Sequence, residues 1–273
     1  MAPALPVPLA PMTLSDLLDG AFRVLKLRPR TVLGIAATIL VPVFMVAAFL
    51  QRDATSGYTF GSGFSTTEVL ARSGGSVLAT YAAALLVSAS LFFLGGALAK
   101  LVSAWYAGGD LTAGEALRAA FRRTPALFGA FAVLLPLKVV SAALCYVGLI
   151  PCVTLFSLTA PAIVVEDLGP IAGAKRSWQL VARRFWPCVG IVVVATIGSS
   201  LLTTVLTVLP TLLALALGDP ARWIVLGVAR TAVALVIITT LMSVSVLLYL
   251  DLRIRTEGLD LELMAADAFA HGR

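Results

Sequence analysis

The chain has 273 residues, of which 60% are hydrophobic and 12% charged, with Lys and Arg outnumbering Asp and Glu by 20 to 14. A soluble domain carries about 25% charged residues to coat its surface, so this composition, with a mean hydropathy of +1.01, excludes a water-soluble globule and predicts an integral membrane protein. Lipid admits only helices or closed barrels as spanning structures, and long unbroken apolar runs select helices.

Residues 1–12, with prolines at 3, 6, 8 and 11 and no basic residue, read as an uncleaved cytoplasmic tail, not as a signal peptide. From Thr13 the apolar residues Leu14, Leu17, Leu18, Ala21, Phe22 and Leu25 recur at helical spacing, and Thr13 with Asp16 has the form of a capping box. The pattern returns at Thr112 and Glu115, with Ala113, Ala116, Leu117, Ala120 and Phe121, and again from Pro170, with Ile171, Ala174, Trp178, Val181 and Phe185. Each stretch ends in basic residues and a proline, which predicts three interfacial amphipathic helices, each followed by a break and then spans. Phe22, Phe121 and Trp178 are the equivalent aromatics, and Lys175 and Arg176 are basic residues of the third helix placed to meet anionic lipid. An anchor in the inner leaflet and a docking surface for a cytosolic partner are both open readings of these helices.

Apolar runs near the ~20 residues a bilayer requires fall at 31–50, 76–104, 126–145, 149–165, 187–209 and 223–249. The expectation is an all-α polytopic bundle of about six transmembrane helices, although 126–165 could instead be one bent helix and a re-entrant segment. Fifteen basic residues fall in the segments on the N-terminal side of the membrane and three (Arg52, Arg72, Arg222) on the other. Both termini are therefore expected in the cytoplasm. The chain reads as one membrane domain: a tail 1–12, modules 13–110, 111–167 and 168–250, and a tail 251–273.

Around the spans, Leu14-Ser15-Asp16-Leu17-Leu18-Asp19-Gly20-Ala21-Phe22-Arg23, then Pro161-Ala162-Ile163-Val164-Val165-Glu166-Asp167 with Arg176-Ser177-Trp178, and Tyr249-Leu250-Asp251-Leu252-Arg253-Ile254-Arg255 resemble actinobacterial proteins of the glycerophosphoryl diester phosphodiesterase membrane domain family. The resemblance implies a membrane bundle. The catalytic barrel fused to such regions in some proteins, with its metal-binding carboxylates and histidines, has no counterpart here, so no phosphodiesterase activity is carried over.

One histidine, His271, and three scattered cysteines, Cys145, Cys152 and Cys188, supply neither a metal cluster nor a Ser/His/Asp triad. The expectation is a protein that is not an enzyme and holds no metal and no cofactor. Two basic residues fall within spans, Lys138 and Arg230. Such residues usually face a bundle interior or a wet cavity, and the alternative is a side chain that snorkels to the headgroups. Together they would suit an anionic ligand such as a lipid phosphate. Glu166, Asp167, Asp251, Arg253 and Arg255 at span ends read as solvated pairs that fix helix position. The Ser and Thr residues of 196–207 read as a close-packing face. Two functions are open: a non-catalytic membrane scaffold or assembly component with a cytoplasmic or membrane protein partner, and a transporter or lipid-handling protein with a site near Lys138 and Arg230. Nothing points to nucleic acid. Sixteen Arg against four Lys with abundant Ala suggests a GC-rich bacterium and its plasma membrane.

Overall fold

The computed structural model describes residues 12–52, 74–143, 148–217 and 219–258, and among these every regular element is a helix. Arg72, Cys145 and His271 lie outside the described residues. In chain order the helices are α1 (Leu14–Leu27), α2 (Pro29–Leu50), α3 (Gly74–Tyr106), α4 (Ala113–Arg122), α5 (Thr124–Ala143), α6 (Leu149–Phe156), α7 (Thr159–Val165), α8 (Pro170–Ala182), α9 (Phe185–Leu217) and α10 (Asp219–Glu257).

The helix starts read from the sequence are present. The Asp16 N–H donates to Thr13 Oγ1 at 3.3 Å while the Thr13 N–H donates to the Asp16 carboxylate at 2.8 Å. Thr112 and Glu115 repeat both bonds at 3.3 and 2.8 Å. Pro170 fills the first position of α8, where its missing N–H costs nothing. The bonds from Thr13 and Thr112 hold the two capping carboxyls below their ordinary pKa values. A depressed carboxyl stabilises the fold above its unfolded pKa, and the contribution is lost as pH falls through the folded value. The first turns of α1 and α4 are therefore expected to stay intact above about pH 4 and fray below it. The backbone amide shifts of Thr13 and Thr112 should report this, and shifts that stay flat from neutral pH into acid would contradict it.

Among the described residues five helical stretches are long and apolar enough to cross a membrane: Pro29–Leu50, Val77–Tyr106, Thr124–Ser141, Phe185–Ala214 and Trp223–Glu257. The sixth expected span, 149–165, is not one helix. It is α6 and α7 with a break at Ser157-Leu158. Pro161 is the cause: it has no N–H to donate to the Ser157 carbonyl four residues back, and its ring crowds that carbonyl. At the third position of α7 the same missing donor falls among the four N–H groups a helix leaves unpaired anyway. The chain still returns to the end it left, since Arg123 before α5 pairs with Asp167 after α7 at 2.5 Å. From Thr159 to Val164 every residue of α7 is buried, so a seven-residue segment forms the centre of this half of the bundle.

The amphipathic helices bury faces of small and aliphatic residues against the bundle. In α1 the buried residues are Leu17, Gly20, Ala21 and Val24, in α4 Ala116 and Ala120, and in α8 Gly173, Ala174, Ser177, Leu180 and Val181. Phe22, Phe121 and Trp178 are 46%, 54% and 49% exposed. The residue before each aromatic, Ala21, Ala120 or Ser177, packs against the bundle instead. Small side chains let backbones approach, and lipid accommodates an aromatic as well as protein does. Gly96 of α3 shows the closeness of this packing: a Cβ there would lie 2.6 Å from Val164 Cγ2. On the opposite side of the bundle α9 packs mainly along α10. It turns Ser199, Thr203 and Thr207 half inward and Leu201, Val205 and Leu209 outward.

Candidate functional site

Two polar constructions lie on the segments around the broken pass. The first closes the break itself. Ser177 of α8 is fully buried, accepts from the Leu158 N–H at 3.2 Å and donates to the Leu155 carbonyl at 2.6 Å. One hydroxyl thus replaces two of the backbone bonds the interrupted helix cannot make, and the Ser157 hydroxyl occupies a third group, the Thr154 carbonyl, at 2.8 Å. Non-helical backbone at membrane depth is tolerated where protein satisfies it in this way. Gly173, one turn earlier on the same face of α8, lets the helix sit directly on Ile163 of α7.

The second construction binds the basic ends together. The Glu166 carboxylate accepts two bonds from Arg176 Nε, at 3.0 and 2.8 Å, and one from the Tyr249 hydroxyl at 2.7 Å. Arg176 continues to Glu257 at 2.5 Å, and Glu257 accepts from Arg253 at 3.0 Å. Nearby, Asp251 pairs with Arg255 and accepts from the Met12 N–H at 2.7 Å, while Arg255 donates to the Met12 carbonyl at 2.7 Å. These groups were expected as solvated pairs. With the Glu166 side chain 19% exposed, the network instead lies partly inside the protein and ties α7, α8 and α10 together. Arg176, expected at the lipid surface, is consumed by it, whereas Lys175 stays exposed.

Lys138 is where the spans open. It lines a cavity of about 250 Å³ together with Ser88 and Phe92 of α3, Ser157 and Ala160 of the broken pass, Thr196 of α9 and Ser245 of α10. Its ammonium stands 5.4 Å from the centre of the Phe92 ring, a cation–π contact. Phe131, two turns before Lys138 on α5, is itself edge-on to Phe92 with ring centres 5.9 Å apart. The lysine therefore folds back along α5 toward the level of Phe131. Helical side chains tilt toward the helix N-terminus in this way, and here the tilt carries the charge away from the nearer, C-terminal end of the span. Burial at membrane depth is tolerable for an ammonium only where water or polar groups attend it, and the cavity's hydroxyl groups supply them.

Arg230 does not join this site. It is exposed on α10, eleven residues before Leu241, the nearest cavity-lining residue of that helix, which is about 16 Å along the axis. The expectation that both cations meet in one space is corrected to a site with one. Sequence reasoning also missed the role of Ser177. The signal available was a proline four residues after a serine inside an apolar run. Cys152 and Cys188 are buried free thiols.

Helices of this length and apolarity around a partly polar interior define an integral membrane protein of all-α type. Residues 111–252, just over half of the chain, match a family described as a domain of unknown function, DUF7847, and the protein belongs to that family. The matched stretch holds Lys138, the broken pass, Ser177, Glu166 and Tyr249, and leaves out α1 to α3 with Phe92. No curated protein and no solved structure matches the chain.

Proposed function

We propose that the protein is a non-enzymatic membrane protein that binds, and passes across part of the bilayer, a single-chain amphiphile with an anionic head. The observation that carries this reading is the Lys138 ammonium, turned inward over Phe92 into a cavity that adjoins a discontinuous helix. Broken helices near the membrane middle mark substrate sites in transporters because they bring polar backbone to that depth. The cavity volume, about 250 Å³, is roughly that of eight waters. It suits a carboxylate or phosphate head with the first part of one chain, not a two-chain lipid. The polar groups present bind an anion without supplying a general base, so the site is one of recognition.

The purely scaffolding role that the composition also allows needs no cavity, and the lysine would then have no reason to point inward. In this reading the protein lies in a bacterial plasma membrane, and the excess of Lys and Arg in the segments at one end supports that end, with both termini, being cytoplasmic. Phe22, Phe121 and Trp178 at that end serve as anchors in the headgroup layer and leave room for a protein partner.

A photoreactive fatty acid added to the protein in nanodiscs tests the reading. The label is expected in peptides from α3, α5 and α6, and is expected to fall at least tenfold in Lys138→Met, in line with loss of about 1.4 kcal/mol or more, but not in Arg230→Met. Labelling that both variants leave unchanged would overturn the proposal.

A further inference from the structure

A second cation-lined space lies at the basic end, one helical turn along α7 from the Lys138 cavity. It is a cleft of about 370 Å³ lined by Lys100 of α3, Ala119 and Arg122 of α4, Arg123, and Val164 and Asp167 at the end of α7. Gly96 packs on Val164 and Leu127, so Lys100, one turn further along α3, stands level with the start of α5 and the end of α7. That is the boundary between apolar span and headgroups. Arg123 is already paired with Asp167 at 2.5 Å. Lys100 and Arg122 have no ion pair among the described residues, so the cleft holds two uncompensated positive charges beside a shared third.

The cleft also has an apolar side. Phe93 lies seven residues, two helical turns, from Lys100 and thus on the same face of α3, and its ring packs against Phe121 with centres 6.0 Å apart. Phe121 is among the exposed large hydrophobic residues. Cations at headgroup level with an aromatic wall leading into the bilayer match a molecule that is anionic at one end and apolar at the other.

We propose that this cleft binds the phosphate of an anionic glycerophospholipid from the leaflet at the basic end. Lys100 and Arg122 contact the phosphate oxygens, and one acyl chain lies along Phe93 and Phe121. Soluble phosphate would use the same cations but gain nothing from the aromatic wall.

The test compares full-length wild type with Lys100→Gln/Arg122→Gln in nanodiscs of phosphatidylcholine doped with phosphatidylglycerol, scored by native mass spectrometry for retained phosphatidylglycerol. Lys26→Gln/Arg118→Gln removes the same charge from exposed positions of α1 and α4 outside the cleft and serves as the control. Each basic residue near an anionic surface contributes about 1 kcal/mol, so retention should fall at least roughly tenfold in the cleft variant, with the control unchanged and phosphatidylcholine retained equally by all three. Excess inorganic phosphate should not displace the lipid. An equal loss in the control would reduce the effect to general surface charge, and no loss in the cleft variant, or full displacement by inorganic phosphate, would also overturn the proposal. Should the double variant fail to fold, Arg122→Gln alone carries the same comparison, because that exposed side chain has no partner among the described residues to lose.

Discussion

Glu166→Ala is expected to cost the folded protein about 3 kcal/mol, the lower end of what removing one member of a buried ion network costs. The lower end applies because Arg176 and Arg253 keep Glu257, at 2.5 and 3.0 Å. What the variant strands is the Tyr249 hydroxyl, which has Glu166 as its acceptor on a ring that is fully buried, and the Nε of Arg176. Glu166→Gln should recover part of the loss, since the amide oxygen still accepts from Tyr249. Asp167→Asn, at the adjacent carboxylate, is the comparison: its side chain is 61% exposed, asparagine tolerates the positive φ of 56° there, and an exposed pair contributes roughly 0 to 1 kcal/mol. Thermal unfolding in detergent at matched protein and lipid content would measure all three. Equal effects of Glu166→Ala and Asp167→Asn would show that the network is no more than surface pairing.

Gly173→Ala comes next in size. A Cβ on Gly173 would overlap Ile163 Cγ1, which is bonded directly to the branched Cβ of a side chain held by its own helix and is not a flexible end that could swing aside. Ile163 is fully buried, so α8 must lift from α7, and overpacking of this kind costs about 1 to 3 kcal/mol. Lifting α8 also withdraws Ser177 from the break at Leu158, so the loss should lie at the upper end. Trimming the other partner provides the check: Ile163→Ala destabilises alone by leaving a cavity, but in Gly173→Ala/Ile163→Ala the two costs should fall well short of their sum. Additive costs would mean that the two residues do not share the contact.

Much of the architecture is readable from the sequence because its causes are local. Continuous apolar runs mark α2, α3, α5, α9 and α10, and Thr-x-x-Asp and Thr-x-x-Glu mark the starts of α1 and α4. The departures arise where hydropathy is blind. An average over 149–165 cannot register that Pro161 removes the donor for the Ser157 carbonyl, nor that Ser177 on a later helix satisfies the Leu158 N–H and the Leu155 carbonyl at the break. The buried face on α1, α4 and α8 follows backbone approach, which favours Ala, Gly and Ser, and helical spacing alone does not say which apolar residues meet protein and which meet lipid. Lys138 and Arg230 look alike along the chain, as single cations in apolar helices. Their difference is azimuth and height, which only the packing of α5 against α3, and the outward turn of Arg230 on α10, determine. The same holds for Glu166, Arg176 and Tyr249, each an ordinary interfacial residue until three helix ends meet.

The proposed function requires Lys138 to turn into a cavity that the amphiphile occupies at membrane depth. Electron cryomicroscopy of the protein in nanodiscs with a fatty acid present tests it most directly. The account predicts elongated density between α5 and α9 that ends beside Lys138 Nζ, with the ammonium still over Phe92 and the helix open at Ser157-Leu158. A closed gap without density, with Lys138 extended to the outer headgroups and 149–165 running as one helix, would contradict it.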